Sequence, residues 1–439
     1  MKRTYAYAAI VLVSLFWLLF LGTNRGYWWD ELVYLELGKN VRSGLYEMNS
    51  GQESFRPPVF PLTVAAFLPF GELFLKVVVI AFAIAACMLL YMCIERLDKR
   101  AALISLLFLG TSPLFFFFGH RFLAETAGAF LALLSAAVFF YSMHNEKYLV
   151  ALGPVLGLSI LAKYQNILLI PAFAAFLVWK RRYGLLRSNY ALASAIGFAA
   201  VMVPFIAFEV HAYGSLPNFI HAQLFDDMQG LYGLSSQTHF YGAWHYYASN
   251  AVQLFGLSAL FMVPFLLKKR KSDFEMLLLI TTALALLFFS FIIFRKEARY
   301  LISFSPFFAA CFAYGLLELR QAGKWMMTVA LLFVAANAAQ SYFLVQDGAD
   351  DGENVRNAAL FVRGINETVV VADYYPAINY LADKKAVRFP ENESDLAAYD
   401  TYAVAAKEVP FTPAYAFNNS NVVARFGSGW DEVIIYRTP

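Results

Sequence analysis

The chain has 439 residues, of which 60% are hydrophobic, 18% aromatic and only 15% charged, where ordinary soluble domains carry about 25% charged residues. This composition excludes a soluble globular protein and points to a polytopic membrane protein. A formal net charge of +3 is too small to make nucleic acid a partner, and the basic residues fall between apolar runs, where they report topology. Cys87, Cys93 and Cys311 all lie inside apolar segments, with no metal-ligand spacing and no disulfide framework.

Met1-Lys2-Arg3 precedes the apolar run 5–22, which reads as a retained first span because no small-residue cleavage site follows. Just beyond it stands Tyr27-Trp28-Trp29-Asp30-Glu31. Ionised groups so close to lipid are costly unless solvated or paired, so the acidic pair is a functional-site candidate. A solvated helix N-terminus beneath an aromatic interface belt explains it equally well at this stage. A span needs about 20 apolar residues, and eleven candidates follow: 5–22, 73–94, 101–119, 122–143, 148–163, 166–179, 189–208, 246–267, 274–294, 300–318 and 325–345. With a cytoplasmic N-terminus, alternate loops carry Arg96/Lys99/Arg100, Lys147, Lys180/Arg181/Arg182/Arg187, Lys268/Lys269/Arg270/Lys271 and Arg320/Lys324, in line with the positive-inside rule. That count requires the run 57–71, with Pro57, Pro58, Pro61 and Pro69, to be an interfacial or re-entrant helix.

The expected outer face then collects Asp30, Glu31, Arg56, His120, Arg121, Glu125, Lys163, His211, His221, Asp226, Asp227, His239, His245, Arg295, Lys296, Glu297 and Arg299. The inner loops are mainly basic, so any chemistry is expected outside. Glu125, Lys163 and Arg299 lie near helix ends, and a shared polar cavity is the simplest way to hold them. The turn Phe294-Arg295-Lys296-Glu297-Ala298-Arg299-Tyr300 sets three cations within five residues, a composition suited to a phosphate at the bilayer surface. The aromatic residues Tyr27, Trp28, Trp29 and 115–118 read as an interface belt, or as rings able to stack on a sugar.

Beyond residue 345 the character changes. Runs 368–372, 402–405, 422–426 and 432–436 read as short strands, and 355–364 and 377–381 as helical, which predicts a small extracytoplasmic α/β domain over 346–439 behind a transmembrane domain of 1–345 with its first outer loop at 23–72. Asn366, Asn392 and Asn418 open Asn-x-Ser/Thr triplets compatible with exposure and glycosylation.

Taken in order, the acidic pair, Arg56-Pro57-Pro58, Arg121 with Glu125, Leu161-Ala162-Lys163, and Glu297-Ala298-Arg299-Tyr300 followed by Pro306 resemble the membrane glycosyltransferases of the GT-C fold. That group contains protein O-mannosyltransferases and lipid A aminoarabinose transferases (glycosyltransferase families 39 and 83), and the resemblance covers roughly residues 1–345. It implies an all-α membrane domain of about 11 transmembrane helices plus interfacial helices. Asp30 would be the catalytic carboxylate and Glu31 its partner. Glu125, Arg121 and Arg56 would contact acceptor or donor, and Lys163, Arg295, Lys296, Arg299 and Tyr300 would bind phosphate. Lys163 is followed by Tyr164-Gln165 where the group often has small residues, which leaves the substrate open.

The resemblance further implies a polyprenyl-phosphate-linked sugar donor, an acceptor protein, lipid or glycan, and contact with membrane lipid. The expected activity is transfer with inversion at a multi-pass cytoplasmic-membrane protein, the active site lying outside. No compact ligand pattern such as His-Glu-x-x-His occurs, so the sequence does not require a divalent metal and leaves metal dependence open. A transporter or flippase for a lipid-linked or anionic substrate is the alternative. It normally shows repeated halves and midplane charges, whereas here no repeat is evident and the charges gather at one surface.

Overall fold

In the computed structural model the described residues are 3–48, 56–213, 244–293, 296–319, 325–390, 393–396, 398–407, 412–417 and 421–438. The principal helices, in chain order, are α1 (Arg3–Leu18), α2 (Trp29–Val41), α3 (Val59–Phe67), α4 (Glu72–Glu95), α5 (Lys99–Gly110), α6 (Pro113–Gly119), α7 (Glu125–Ser142), α8 (Leu149–Ala162), α9 (Leu169–Lys180), α10 (Asn189–Tyr213), α11 (Asp273–Leu287), α12 (Ser305–Glu318), α13 (Met326–Asp347) and α14 (Glu353–Arg363). The chain forms two compact units. One comprises Met1–Leu21, Pro57–Phe60 and Lys76–Val345, the other Gly22–Arg56, Pro61–Leu75 and Gln346–Pro439.

The first unit is helical. Among the described residues six helices are long and apolar enough to cross a membrane, or seven if α5 and α6 form one span. Four shorter apolar helices accompany them: Thr4–Leu18, Val59–Phe70, Tyr164–Lys180 and Leu257–Leu267. This is a multi-pass membrane protein.

Two runs expected to be single spans are broken, each for a local reason. Run 101–119 bends by 55° between α5 and α6, where Pro113 begins a new helix and the Thr111 hydroxyl donates back to the Leu107 carbonyl at 2.7 Å. Run 246–267 is divided into Tyr246–Ser249, Ala251–Phe255, Leu257–Phe261 and Met262–Leu267, with Gly256 at φ 77°. Helix ends are capped as their sequences dictate. The Asp98 carboxylate takes the N–H groups of Arg100 and Ala101 at 2.7 and 3.1 Å, and Ser272 with Glu275 closes a capping box at the start of α11. The segment Ala298–Glu318 lies at the centre, 94% of its most apolar window being buried, whereas the corresponding window of Asn189–His211 is 11% buried and presents its side chains outward.

The second unit contains a five-stranded sheet in the order β2-β1-β3-β5-β4, with β1 Val369–Ala372, β2 Lys385–Val387, β3 Tyr402–Ala406, β4 Val422–Phe426 and β5 Val433–Arg437. β1 pairs in parallel with β2 and β3, while β5 runs antiparallel to β3 and β4. Strands β1, β3 and β5 read as almost continuous apolar runs because both of their faces are buried, whereas the edge strand β4 alternates half-buried and exposed residues. Val370, Ala372, Val404, Ala406, Val433 and Ile435 enter one core, and Val371, Ala403, Ala405, Ile434 and Tyr436 the other. Strand β2 was not foreseen: three residues between a helix and a Pro-containing loop carry too short a pattern.

The first of these cores also takes Leu32, Val33 and Leu37 of α2 and Val355, Ala358, Ala359 and Val362 of α14. Each such buried Leu or Val contributes about 1.5–3 kcal/mol, so α2 is an integral helix of this unit. Its approach is secured just upstream. The Arg25 N–H donates to the Ala349 carbonyl at 2.8 Å, and a Cβ on Gly26 or Gly352 would stand 2.3 or 2.2 Å from the facing backbone. Gly352 also has φ 76°, so only glycine serves there. The hydroxyls of Tyr27 and Tyr380 donate to the two oxygens of Glu72, at 2.5 and 2.8 Å. Of the sequon asparagines, Asn366 is exposed, and Asn392 and Asn418 lie outside the described residues.

Asp373, directly after β1, is 3% exposed, and burial raises its carboxyl from the usual 3.8 to about 6 against the lowering effect of the Thr412 hydroxyl, the Phe389 N–H and Arg388. A folded-state value above the unfolded one means that the cost of the ionised form is absent below the unfolded value and fully present above about pH 6. Asp373→Asn is therefore expected to slow hydrogen exchange across β1 at pH 7.5 in the solubilised protein and to leave it nearly unchanged at pH 4.

Candidate active site

In the second unit the candidate base sits in the first turn of α2. Asp30 forms an ion pair with Arg56, with side-chain exposures of 12% and 19%, and the Arg56 guanidinium stands 5.8 Å from the centre of the Tyr34 ring, one helical turn on from Asp30. The two adjacent acids separate at once. Glu31 turns back to accept the Trp28 N–H at 2.8 Å, the N-terminal half of a capping arrangement, while Asp30 holds the cation. The pairing gives Asp30 one orientation.

In the first unit the expected cations and acid gather where three helices end. Lys163 is the extended residue, φ −154° and ψ 114°, that separates α8 from the 3₁₀ turn Tyr164–Leu168. Its ammonium donates to Glu125 at 2.9 Å and to the Arg299 carbonyl at 3.3 Å. The Lys163 and Glu125 side chains are 8% and 6% exposed, so neither charge is tolerable there without the other. Arg299 pairs through Nε with the Glu297 carboxylate. The Glu297 carbonyl accepts from the Tyr247 hydroxyl at 3.1 Å, which ties down the 297–300 turn.

Three further residues hold this group in place, of which the sequence had marked only Glu297. Asn166 donates to the Gly128 carbonyl at 3.0 Å and to Ser159 O and Oγ at 3.1 and 3.0 Å, clamping the chain just after Lys163 onto α7 and α8. Gly128 lies one turn beyond Glu125, where a Cβ would stand 3.0 Å from Lys163 Cβ and 2.9 Å from Ser303 Oγ. Glu297 supplies the counter-charge for Arg299. A polar Asn beside Lys in an apolar run, and a Gly near a charged helix start, are the signals that were available.

The other expected phosphate ligands have different surroundings. Lys296 is buried and its ammonium donates to the carbonyls of Phe289 and Ser290, at 2.7 and 2.9 Å, and of Ile293. It thus caps the π-helical turn Phe288–Ile292 that ends the α11 span. Tyr300 is buried with its ring 5.7 Å from that of Phe289. Arg121 is fully buried, 5.4 Å from the Phe117 ring, and neighbouring His120 bridges the carbonyls of Phe116 and Trp17 at 2.7 and 2.9 Å. Arg295, His221, Asp226, Asp227 and His239 lie outside the described residues. Among the described residues no three His, Cys, Asp or Glu side chains gather as a metal site.

Residues 56–208 match the family model described as dolichyl-phosphate-mannose-protein mannosyltransferase. The whole chain superposes on ArnT from Cupriavidus metallidurans in its apo state, at TM-score 0.78 and 14% identity, covering 100% of this chain and 98% of that one. The same protein bound to undecaprenyl phosphate gives TM-score 0.79, again at 14% identity and 100% of this chain, with 99% of that chain covered. The chain has the GT-C membrane glycosyltransferase fold. A more distant GT-C likeness is the oligosaccharyltransferase AglB from Archaeoglobus fulgidus, in complex with an inhibitory peptide and a dolichol-phosphate, at TM-score 0.59, 16% identity, and 93% of this chain and 70% of that one covered. No curated protein sequence matches the chain. The expected GT-C resemblance and fold class are thus borne out.

Removing one partner of the Glu125–Lys163 pair leaves a buried unpaired charge. Glu125→Gln and Lys163→Met are each expected to destabilise the membrane unit by about 3 kcal/mol. The double variant should recover most of that loss, read as the midpoint of thermal unfolding in detergent.

Proposed function

We propose that this GT-C glycosyltransferase moves a sugar from a polyprenyl-phosphate donor to an acceptor hydroxyl on the outer face of the cytoplasmic membrane, with inversion at the anomeric carbon. The observation that carries the reading is the buried Lys163 ammonium between Glu125 and the Arg299 carbonyl. Such a cation, set in an apolar unit beside a second cation, suits a lipid phosphate at membrane depth. The undecaprenyl phosphate bound by C. metallidurans ArnT and the dolichol-phosphate bound by AglB support a polyprenyl carrier for this fold. The basic inner loops and the one-sided acids and cations of the sequence support the orientation, with the second unit extracytoplasmic.

In the proposed reaction Asp30 accepts the proton of the acceptor hydroxyl as its oxygen attacks the anomeric carbon. The new C–O bond forms on the face opposite the breaking bond to phosphate, and the polyprenyl monophosphate leaves with the electron pair. That leaving group needs positive charge rather than a proton. Lys163 and Arg299 supply it by exchanging their carboxylate partners, Glu125 and Glu297, for phosphate oxygens as the donor binds. A preorganised donor aimed at developing charge is worth about 2.7–4 kcal/mol. Glu31 serves by fixing the first turn of α2, and Arg56 by orienting Asp30. Lys296 and Arg121 support the phosphate and acceptor regions through the backbone and rings they hold.

Asp30→Asn is expected to abolish transfer while donor binding persists, and Glu31→Gln, whose amide oxygen still accepts the Trp28 N–H, should cause a much smaller loss. Lys163→Met in the Glu125→Gln background should weaken polyprenyl-phosphate binding itself, about 10²-fold or more. Single-turnover transfer and a donor-binding assay on the same purified variants separate these outcomes. Near-normal transfer by Asp30→Asn would sink the base assignment.

A further inference from the structure

Asp373 has no task in the reaction above, yet its burial is costly. It stands at the carboxyl end of β1 in a sheet where β2, β1 and β3 are mutually parallel and neighbours in that order. The connection out of β1 runs to β2 on one side, and the next strand, β3, lies on the other. The chain therefore diverges at the carboxyl ends of β1 and β3, which is where open α/β sheets place their ligands. Three loops bring polar groups to this edge. Asp373 follows β1, Arg388 follows β2, and Thr412 lies in the loop after β3.

Their contacts leave capacity. The Thr412 hydroxyl and the Phe389 N–H donate to the Asp373 carboxylate, but its buried Oδ2 accepts no hydrogen bond among the described residues. Arg388 is exposed, stands 5.4 Å from the Tyr375 ring centre and donates to the Tyr375 hydroxyl. The Tyr375 ring in turn meets Trp29 edge-on at 4.7 Å, with Tyr374 at 5.1 Å on the same indole. Trp29 is partly exposed and immediately precedes Asp30, and Tyr375 feels the charges of both Glu36 and Arg56. A polar edge and an aromatic pair thus lead, within one unit, to the candidate base.

The chemistry of the edge narrows its ligand. Arg388 opposes a bare cation, and Asp373 opposes a phosphate. A carboxylate acceptor and a guanidinium donor side by side are complementary to vicinal hydroxyls, each of which both donates and accepts. A partly exposed indole such as Trp29 suits the C–H surface of a sugar ring, while the buried Tyr375 supports it from behind. We propose that this edge is a saccharide-binding subsite, with Asp373 accepting from and Arg388 donating to ring hydroxyls, and with the partly exposed Trp29 as its apolar wall. It holds the acceptor as a glycan, an assignment that rests on Asp30 being the base.

The test titrates the full-length purified protein with methyl α-glycosides of the gluco, galacto and manno series, followed by saturation-transfer NMR and tryptophan fluorescence. Saturable binding of at least one series is expected, weakened about tenfold or more by Arg388→Ala and by Asp373→Asn. Arg388 is exposed, so its variant should fold; thermal unfolding of both variants verifies this. Asp30→Asn should bind the glycosides normally while losing transfer. Absence of saturable glycoside binding by the wild-type protein would overturn the subsite, as would undiminished binding by both variants. Binding of a Ser/Thr peptide at this edge in place of glycosides would overturn it too. Transfer that survives Asp30→Asn overturns the base assignment and leaves the binding result standing.

Discussion

A charge set among apolar helices persists only with a counter-charge at hydrogen-bond distance, and the candidate site is organised around that constraint. Among the described residues, two of the cations expected to meet a phosphate in the membrane unit are paired with carboxylates: Lys163 with Glu125 and Arg299 with Glu297. Lys296 satisfies its ammonium on three backbone carbonyls at a helix end instead. The pairs keep the charges preorganised at low cost in the empty state. Beside its side-chain partner Lys163 also has a backbone one, the Arg299 carbonyl at 3.3 Å.

The second unit answers a different problem, which is how to hold the Asp30 carboxylate on a short helix that follows an apolar one. A helix of 13 residues is marginal by itself. Burying Leu32, Val33 and Leu37 in the core that also takes β1, β3, β5 and α14 makes α2 as rigid as the sheet. Asp30 then inherits its position from a fold completed by residues more than 300 positions later in the chain. Asp30 is itself buried, and its pairing with Arg56 offsets part of the cost of withdrawing that charge from water.

Much of this was legible in the residues one by one. Mean composition, apolar runs and the placement of lysine and arginine were sufficient for a multi-pass membrane chain. Short runs rich in β-branched and aromatic residues beyond residue 345 were sufficient for four of the five strands, and the ordered motifs for the GT-C group. Breaks inside apolar runs were harder to see. Gly256 and Pro113 carry the signal, but a run of hydrophobic residues looks alike whether it is one helix or several. Side-chain partners were invisible for a simple reason: Lys163 meets residues 38 and 136 positions away, and nothing in local spacing encodes such separations.

The neighbouring acids show where the division falls. By itself the sequence determined that Asp30 and Glu31 follow an apolar run as an acidic pair suited to a helix start or to a functional site, because helix-start chemistry and hydropathy are local properties. Only the tertiary structure decided that Glu31 turns back to the Trp28 N–H while Asp30 meets Arg56, and that α2 belongs with the C-terminal sheet. Those choices depend on which groups long-range packing brings within a few ångströms, where hydrogen bonds and ion pairs have their strength.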